Sequence, residues 1–262
     1  MAESISSLSN PRIKALAELR RKGVRADPSR ILIDGIREIG RAVEAGIALS
    51  ELYYCPSLLE APSEQIRKLA SAKTELIELT EPVFEKIRYG DRTGGLVAVA
   101  ARPHRTLADL KLGANPLIAV VEKIGKPGNL GGMLRSADGA GLEAVLAVDS
   151  AIDVYGPNVI RASVAAVFRI PVVEISAEEA RRFLDEHRFQ SVAASPTGQT
   201  DYTRLDYRKA TAFIFGAEDK GLSERWTGIQ TARVPMRGIG DSLNVSTTAA
   251  LFFYEALRQR TR

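Results

Sequence analysis

Apolar positions recur along this chain in two alternating rhythms. Short runs of strand character at 30–33 (RILI), 52–55, 75–79 and 96–101 (LVAVAA) punctuate the first hundred residues. Between them, apolar residues return every three or four positions, as on one face of a helix. Asn10-Pro11 predicts the first helix start, with Asn10 as cap and Pro11 preset for a first helical position. Ile13, Leu16, Ala17 and Leu19 continue it, and Gly23 can end it. Further helices are predicted over 36–47, 64–72 and 82–87. The alternation describes a small α/β domain.

Residues 102–116 are polar, carry two prolines and a glycine, and break the rhythm. A boundary there divides the chain into domains 1–104 and 105–262. The second half alternates more sharply. Strands are predicted at 117–121, 143–148, 171–175, 191–194, 213–215 and 231–234. Helices are predicted at 129–140, 157–164 and 178–187. Repeated βα units imply a mostly parallel sheet with helices on both faces, and ligands beyond the C-terminal strand ends. A last helix places Val245, Ala249, Phe252, Phe253 and Ala256 at helical spacing. Leu251, Tyr254 and Leu257 widen its apolar face beyond one stripe, so it is expected to be covered on more than one side. Asp241, Ser242 and Asn244 precede it, where side-chain oxygens can satisfy orphan backbone N–H groups.

Composition narrows the class. The 262 residues are 45% hydrophobic and 26% charged, as in ordinary globular proteins. There is no apolar run of membrane-span length and no signal-peptide pattern, so a soluble cytoplasmic protein is expected. One cysteine, Cys55, permits no intramolecular disulfide, and two separated histidines, His104 and His187, give no ligand cluster, so no metal is expected. The net charge is +4, partly clustered. Arg12, Lys14, Arg20, Arg21, Lys22, Arg25 and Arg30 crowd the start, and Arg258, Arg260 and Arg262 the end. Such clusters are either solvated helix faces or a surface that tracks phosphates.

Three stretches at the predicted strand ends carry chemistry. The first, from Lys126 to Ala137, is a glycine-containing loop entering a helix, able to meet an anion through free N–H groups. It is neither a G-x-G-x-x-G fingerprint nor a P-loop, which makes a nicotinamide oxidoreductase remote. The second runs from Phe213 to Ser223, where Gly216 lets backbone approach backbone or a flat ligand closely. The third is Val234-Pro235-Met236 followed by Asp241-Ser242-Leu243-Asn244.

In this order and spacing, NLGGMLRSADGAG, FIFGAEDKGLS and VPMRGIGDSLNVSTTAALFFYEALRQ resemble the three motifs of the SpoU/TrmH family within the SPOUT methyltransferases, over roughly 115–260. LSNPRIKAL and RILIDGIREI resemble the family's L30e-like substrate-binding extension, with Asp34-Gly35 where relatives usually carry Glu-Gly. The resemblance implies an α/β-knot (SPOUT) catalytic domain with a C-terminal trefoil knot, plus a smaller N-terminal α/β domain of L30e type. It implies transfer of a methyl group from S-adenosylmethionine to a ribose 2′-hydroxyl of RNA. It also implies a homodimer whose interface uses the closing helix.

Roles follow by position. Gly216, Val234, Met236 and Leu243 should line the cofactor pocket, with Ser195 toward the ribose side. Arg135 matches the catalytic arginine. An arginine stays protonated, so Arg135 is expected to hold the hydroxyl or an adjacent phosphate in line with the methyl group. The proton acceptor is open among Arg135, an RNA phosphate and water. Asn129 and Asn244 are expected to orient Arg135 or the ribose, Glu218 to pair with Arg135, and Ser242 to serve ligand or helix cap. Arg161, Arg12, Lys14, Arg20 and Arg21 are the candidate RNA contacts. Ribosomal RNA, 23S above all, is the leading substrate. The alternatives are transfer RNA and a non-catalytic RNA-binding or ribosome-assembly factor of the same fold.

Overall fold

The computed structural model describes residues 3–20, 29–60, 62–90, 94–217 and 220–261. The chain forms two compact units. One comprises 1–103 together with Tyr155–Phe168, the other 104–154 together with 169–262.

The first unit follows the order β1 (Glu3–Ile5), α1 (Pro11–Leu19), β2 (Arg30–Asp34), α2 (Ile36–Glu44), β3 (Leu49–Tyr54), α3 (Ser63–Leu69), β4 (Glu75–Leu79), α4 (Glu81–Ile87) and β5 (Leu96–Ala101). Its sheet runs β1-β4-β3-β5-β2, with β5 antiparallel to both neighbours and the other pairs parallel. Asn10 caps α1 as expected: its Oδ1 accepts from the Arg12 N–H at 2.8 Å. The helix ends at Leu19, before the predicted Gly23 stop, which lies outside the described residues. The core gathers Ile13, Leu16, Leu32, Tyr53, Ile77, Phe84 and Val97. β1 was not predicted. Its three residues hold one buried side chain, Ile5, and pair only with β4 at the sheet edge.

The second half contributes β6 (Leu117–Glu122), α5 (Pro127–Ala140), β7 (Ala144–Val148), α6 (Pro157–Ala162), α7 (Ala166–Arg169), β8 (Val172–Ile175), α8 (Ala177–Glu186), β9 (Gln190–Ala194), β10 (Thr200–Asp201), β11 (Thr211–Phe215), β12 (Gln230–Arg233) and α9 (Val245–Arg260). Every pair of the sheet β10-β12-β9-β11-β6-β7-β8 is parallel. The residues of β6, β7 and β11 are all buried, the signature of strands covered on both faces. Phe252 and Phe253 of α9 are fully buried and meet Phe213 and Phe215 of β11 with ring centroids 5.7–5.9 Å apart.

The sequence places the segment 155–168 in the second half, but it groups with the first unit. Tyr89 donates from its hydroxyl to Asn158 at 2.7 Å, Arg41 donates to the Val164 carbonyl at 2.9 Å, and Arg102 lies 5.0 Å over the Tyr155 ring. Periodicity reports a helix face, not which sheet that face meets. Among the described residues no helix is long and apolar enough to cross a membrane.

Candidate functional site

The loops at the C-terminal ends of β9, β11 and β12, with the entrance to α9, enclose a cavity of about 480 Å³. Its lining includes Ser195, Gly216, Val234, Met236, Ser242, Leu243 and Asn244. All five residues expected to hold the cofactor are therefore in one hollow. Lys126, from the loop entering α5, lines it too. A few hundred cubic ångströms with mostly apolar walls suits a small-molecule site. Met236 and Leu243 remain 39% and 36% exposed, unusual for such side chains in an otherwise well-buried set.

Each wall has a local cause. The turn after β9 is a Ser-Pro-Thr-Gly sequence, closed by a Gly198 N–H to Ser195 carbonyl bond of 3.0 Å and by Thr197 N–H to Ser195 Oγ at 3.3 Å. The loop after β11 folds back so tightly that backbone meets backbone. Ala217 and Gly221 exchange hydrogen bonds of 3.1 and 2.9 Å. A Cβ added at Gly216 would lie 2.5 Å from the Leu222 nitrogen and nearer still to the Gly221 carbonyl. Gly216 is required here by close approach rather than by its dihedral angles.

Asn244 joins the cavity to α5. Of the three residues expected to cap the closing helix, it is the one that does so: its Oδ1 accepts from the Ser246 and Thr247 N–H groups at 2.9 and 3.4 Å. Its Nδ2 donates to Asn129 Oδ1 at 3.0 Å. Asn129 is buried and sits in the first turn of α5. That amide pair ties the first and third stretches together. Where Gly132 of α5 faces Ser246 of α9, an added Cβ would stand 3.2 Å from that side chain, so the helices are close-packed.

Arg135 lies farther along α5. It is exposed, does not line the cavity, and has no hydrogen-bond or ion-pair partner among the described residues. The expected Glu218 partner lies outside the described residues. Ser242 is exposed at the cavity edge. Among the described residues no cluster of three His, Cys, Asp or Glu side chains could hold a metal ion.

The basic N-terminal set divides. Arg12 is taken up by Glu3 and Glu75, with Glu51 at 3.9 Å. Arg20 forms a bidentate pair with Asp34 at 2.6 and 2.7 Å and donates to the Ile87 carbonyl at 2.7 Å. Both guanidiniums are engaged by carboxylates of their own unit, Arg20 the more completely. Lys14 is exposed and without a partner among the described residues, and Arg21 lies outside them. Arg161 lines a hollow of about 350 Å³ in the first unit, with Asp34, Arg37, Glu38 and Tyr89.

Glu122 was missed. It is fully buried, and its two carboxylate oxygens accept from Ser223 N–H at 2.8 Å and Ser223 Oγ at 2.7 Å. The signal was a single carboxylate closing an otherwise apolar strand, one residue past the predicted end of that strand.

Comparison with known proteins agrees with this geometry. Residues 116–254 match the model of the SpoU rRNA Methylase family, and residues 10–98 that of an MRM3-like substrate binding domain. A 23S rRNA (uridine(2479)-2′-O)-methyltransferase of Streptomyces viridochromogenes is 29% identical over 256 residues, covering 94% of this chain and 88% of that protein. The crystal structure of an RNA 2′-O ribose methyltransferase, 40% identical, superposes with a TM-score of 0.85 over 99% of this chain and 100% of the other. The SpoU methyltransferase AviRb of Streptomyces viridochromogenes, in complex with AdoMet, is 28% identical and superposes with a TM-score of 0.87 over 96% and 98%. Motifs, sheet and matched length agree: the chain belongs to the SpoU rRNA methylase family.

Proposed function

We propose that this chain methylates a ribose 2′-hydroxyl of 23S ribosomal RNA, using S-adenosylmethionine. One observation carries the reading: three distant segments converge on a single apolar-walled cavity, and the Asn129–Asn244 bond fixes that cavity to the helix bearing the exposed Arg135. Membership of the family and the activities of its relatives support the reaction class.

The residues present fit the cofactor. Gly216, Ala217 and Gly221 offer backbone groups with little side chain in the way, suited to reading an adenine edge. Val234, Met236 and Leu243 supply the apolar faces, and Ser195 a hydroxyl for a ribose. The bound cofactor supplies an electrophilic methyl on a sulfonium, a reaction that calls for no metal. Arg135 holds the target hydroxyl or its neighbouring phosphate in line. Asn129 and Asn244 keep the α5 helix in register with the cavity, and Ser242 serves the same edge.

Residues 1–104 present RNA to residues 105–262, with Lys14, Arg21 and Arg161 as contacts. The same reading makes the tail after β12 the closing thread of a trefoil knot. It makes the chain a cytoplasmic homodimer, paired through the face of α9 that bears Leu251 and the half-exposed Tyr254.

Transfer of labelled methyl from S-adenosylmethionine to purified ribosomal RNA, with transfer RNA alongside, tests the reading. Label is expected in ribosomal RNA as 2′-O-methyl. Arg135→Ala should lower kcat by about a hundredfold or more, the scale for loss of one aimed electrostatic group. It should leave the affinity for S-adenosylhomocysteine within about twofold, because Arg135 does not line the cavity. Label in neither RNA, or undiminished turnover by the variant, would refute it.

A further inference from the structure

We infer that Glu122 is a positioning residue for the cofactor cavity, acting through Ser223 on the loop that follows β11. The inference rests on the reading of that cavity as the S-adenosylmethionine site, and adds a residue that none of the three motif stretches contains.

The sheet creates the opportunity. β6 and β11 pair in parallel from Thr211↔Leu117 to Phe215↔Val121. There β11 ends and its chain turns away at Gly216, while β6 continues by one residue, Glu122, paired with Val148 on its other side. The carboxylate is therefore left beside a vacated edge of the sheet with no exposure to water. The chain from β11 comes back to fill that edge. Ser223 presents its N–H and its hydroxyl to the two carboxylate oxygens, one to each, at 2.8 and 2.7 Å. A buried carboxyl group must be hydrogen-bonded to persist, and among the described residues both oxygens of this one bond a single residue, Ser223, of a loop that is otherwise outside the sheet.

What the bond holds matters more than the bond. After Gly216 the chain is pinched into a neck, with Ala217 on one side and Gly221 on the other. The Ala217–Gly221 pair closes the neck, and Gly216, Ala217, Gly221 and Leu222 are all cavity wall. One side of the neck is fixed by continuity with β11. The other side leaves toward Ser223, whose carbonyl accepts from the Trp226 N–H at 3.1 Å, and Trp226 is embedded in the core. Glu122 thus pins the free side of the neck at the point where it re-enters the fold. It touches neither cavity nor substrate. It sets where the backbone groups of Gly221 and Leu222 stand relative to Gly216, and so the width of the slot.

The test compares Glu122→Ala, Glu122→Gln and Ser223→Ala with the parent chain by two readouts. The first is amide hydrogen exchange of the 216–223 segment in the ligand-free protein. Exchange should accelerate at least tenfold in Glu122→Ala, several-fold in Ser223→Ala, and little in Glu122→Gln, whose amide can still accept the N–H while the serine hydroxyl turns to accept in its place. The second is calorimetric titration with S-adenosylhomocysteine. The dissociation constant should rise at least tenfold in Glu122→Ala and return to within threefold in Glu122→Gln. If Glu122→Ala does not fold, Ser223→Ala, which leaves the carboxylate one bond, carries both readouts. Unchanged exchange in the loop overturns the inference, whatever the ligand. Accelerated exchange with unchanged affinity also overturns it, since the residue would then be merely structural. A parent chain that gives no binding signal at all sinks the cofactor reading itself.

Discussion

Gly216→Ala is the substitution whose outcome the backbone fixes most sharply. The added methyl would lie 2.5 Å from the Leu222 nitrogen, whereas ordinary Cβ contacts begin at 3.4 Å. The opposing atoms are backbone, so no side chain can swing aside; the returning strand of the loop must retreat by roughly 1 Å. Overpacking of this kind costs about 1–3 kcal/mol in stability. For a chain of this size that is a fall of roughly 2–10 °C in Tm. The larger effect is on the cavity, because Gly216, Ala217, Gly221 and Leu222 are its wall. A wall moved by an ångström misplaces the backbone groups proposed to read the cofactor, and the dissociation constant for S-adenosylhomocysteine should rise tenfold or more, equivalent to about 1.4 kcal/mol. Gly141→Ala is the control. Gly141 ends α5 with φ of 76° and has nothing within 4 Å of an added Cβ. That variant should lose about 1 kcal/mol through left-handed strain alone and bind as the parent does. Calorimetry with both variants, beside thermal unfolding, decides the matter. A folded Gly216→Ala chain with parental affinity would refute the claim that this neck is cofactor wall.

Three further substitutions probe the rest of the assignment. Arg20→Ala should destabilise the chain by about 3 kcal/mol in urea unfolding, because it strands a buried carboxylate rather than a phosphate contact. Burial already pushes the Asp34 carboxyl above its ordinary range against the pull of Arg20 and the Tyr89 N–H. A carboxyl raised in the folded state destabilises once ionised, so the deficit should be largest at neutral pH and shrink as pH falls through the raised value toward the ordinary range near 4. A deficit independent of pH would refute the burial argument. Lys14→Gln should leave stability unchanged and lower the log–log salt slope of RNA binding by about 1; an unchanged slope removes Lys14 from the contact set. On the proposed pairing through α9, the parent chain should sediment as a dimer and Tyr254→Glu as a monomer without turnover. A variant that stays dimeric shows that another face pairs the subunits.

The fold was legible wherever burial imposes a pattern. LVAVAA and LIAVV read as strands because a strand covered on both faces must be apolar throughout, and the helices read through their caps, as Asn10 shows. The missed elements lack such a signal. β1 has one buried residue, β10 has two residues at an edge, and α7 is a single turn. The cavity-lining residues were legible only together, through the spacing of the three stretches. Val234 or Leu243 alone is an ordinary apolar residue. The N-terminal arginines misled for a physical reason. Charge can be counted along a sequence, but its partner cannot: the acids that occupy Arg12 lie on β1 and β4, one of them 63 positions away. Glu122 escaped for the same reason, since its partner is 101 positions away and belongs to a different loop.

The strand order explains why the site stands where it does. The chain winds outward from β6 through β7 to β8, then crosses back to lay β9 on the far side of the sheet, with β11 filling the gap between β9 and β6. That reversal is the switch point at which open parallel sheets leave a crevice beyond their C-terminal ends. Four parts of the cavity wall come from that edge: Ser195 after β9, Gly216 after β11, Val234 after β12, and Lys126 after β6; the start of α9 completes it. Because α5 leaves the same edge directly after β6, its first turn reaches Asn244 while Arg135, two turns on, stands clear of the cavity and open to solvent. A donor enclosed by the crevice and a guanidinium held outside it on a rigid helix suit a reaction in which the small molecule is buried and the acceptor is a polymer too large to enter. The proposed chemistry does not need Arg135 in the cavity lining, only at its mouth, and a small soluble nucleoside should be a far poorer acceptor than an RNA strand laid across the edge.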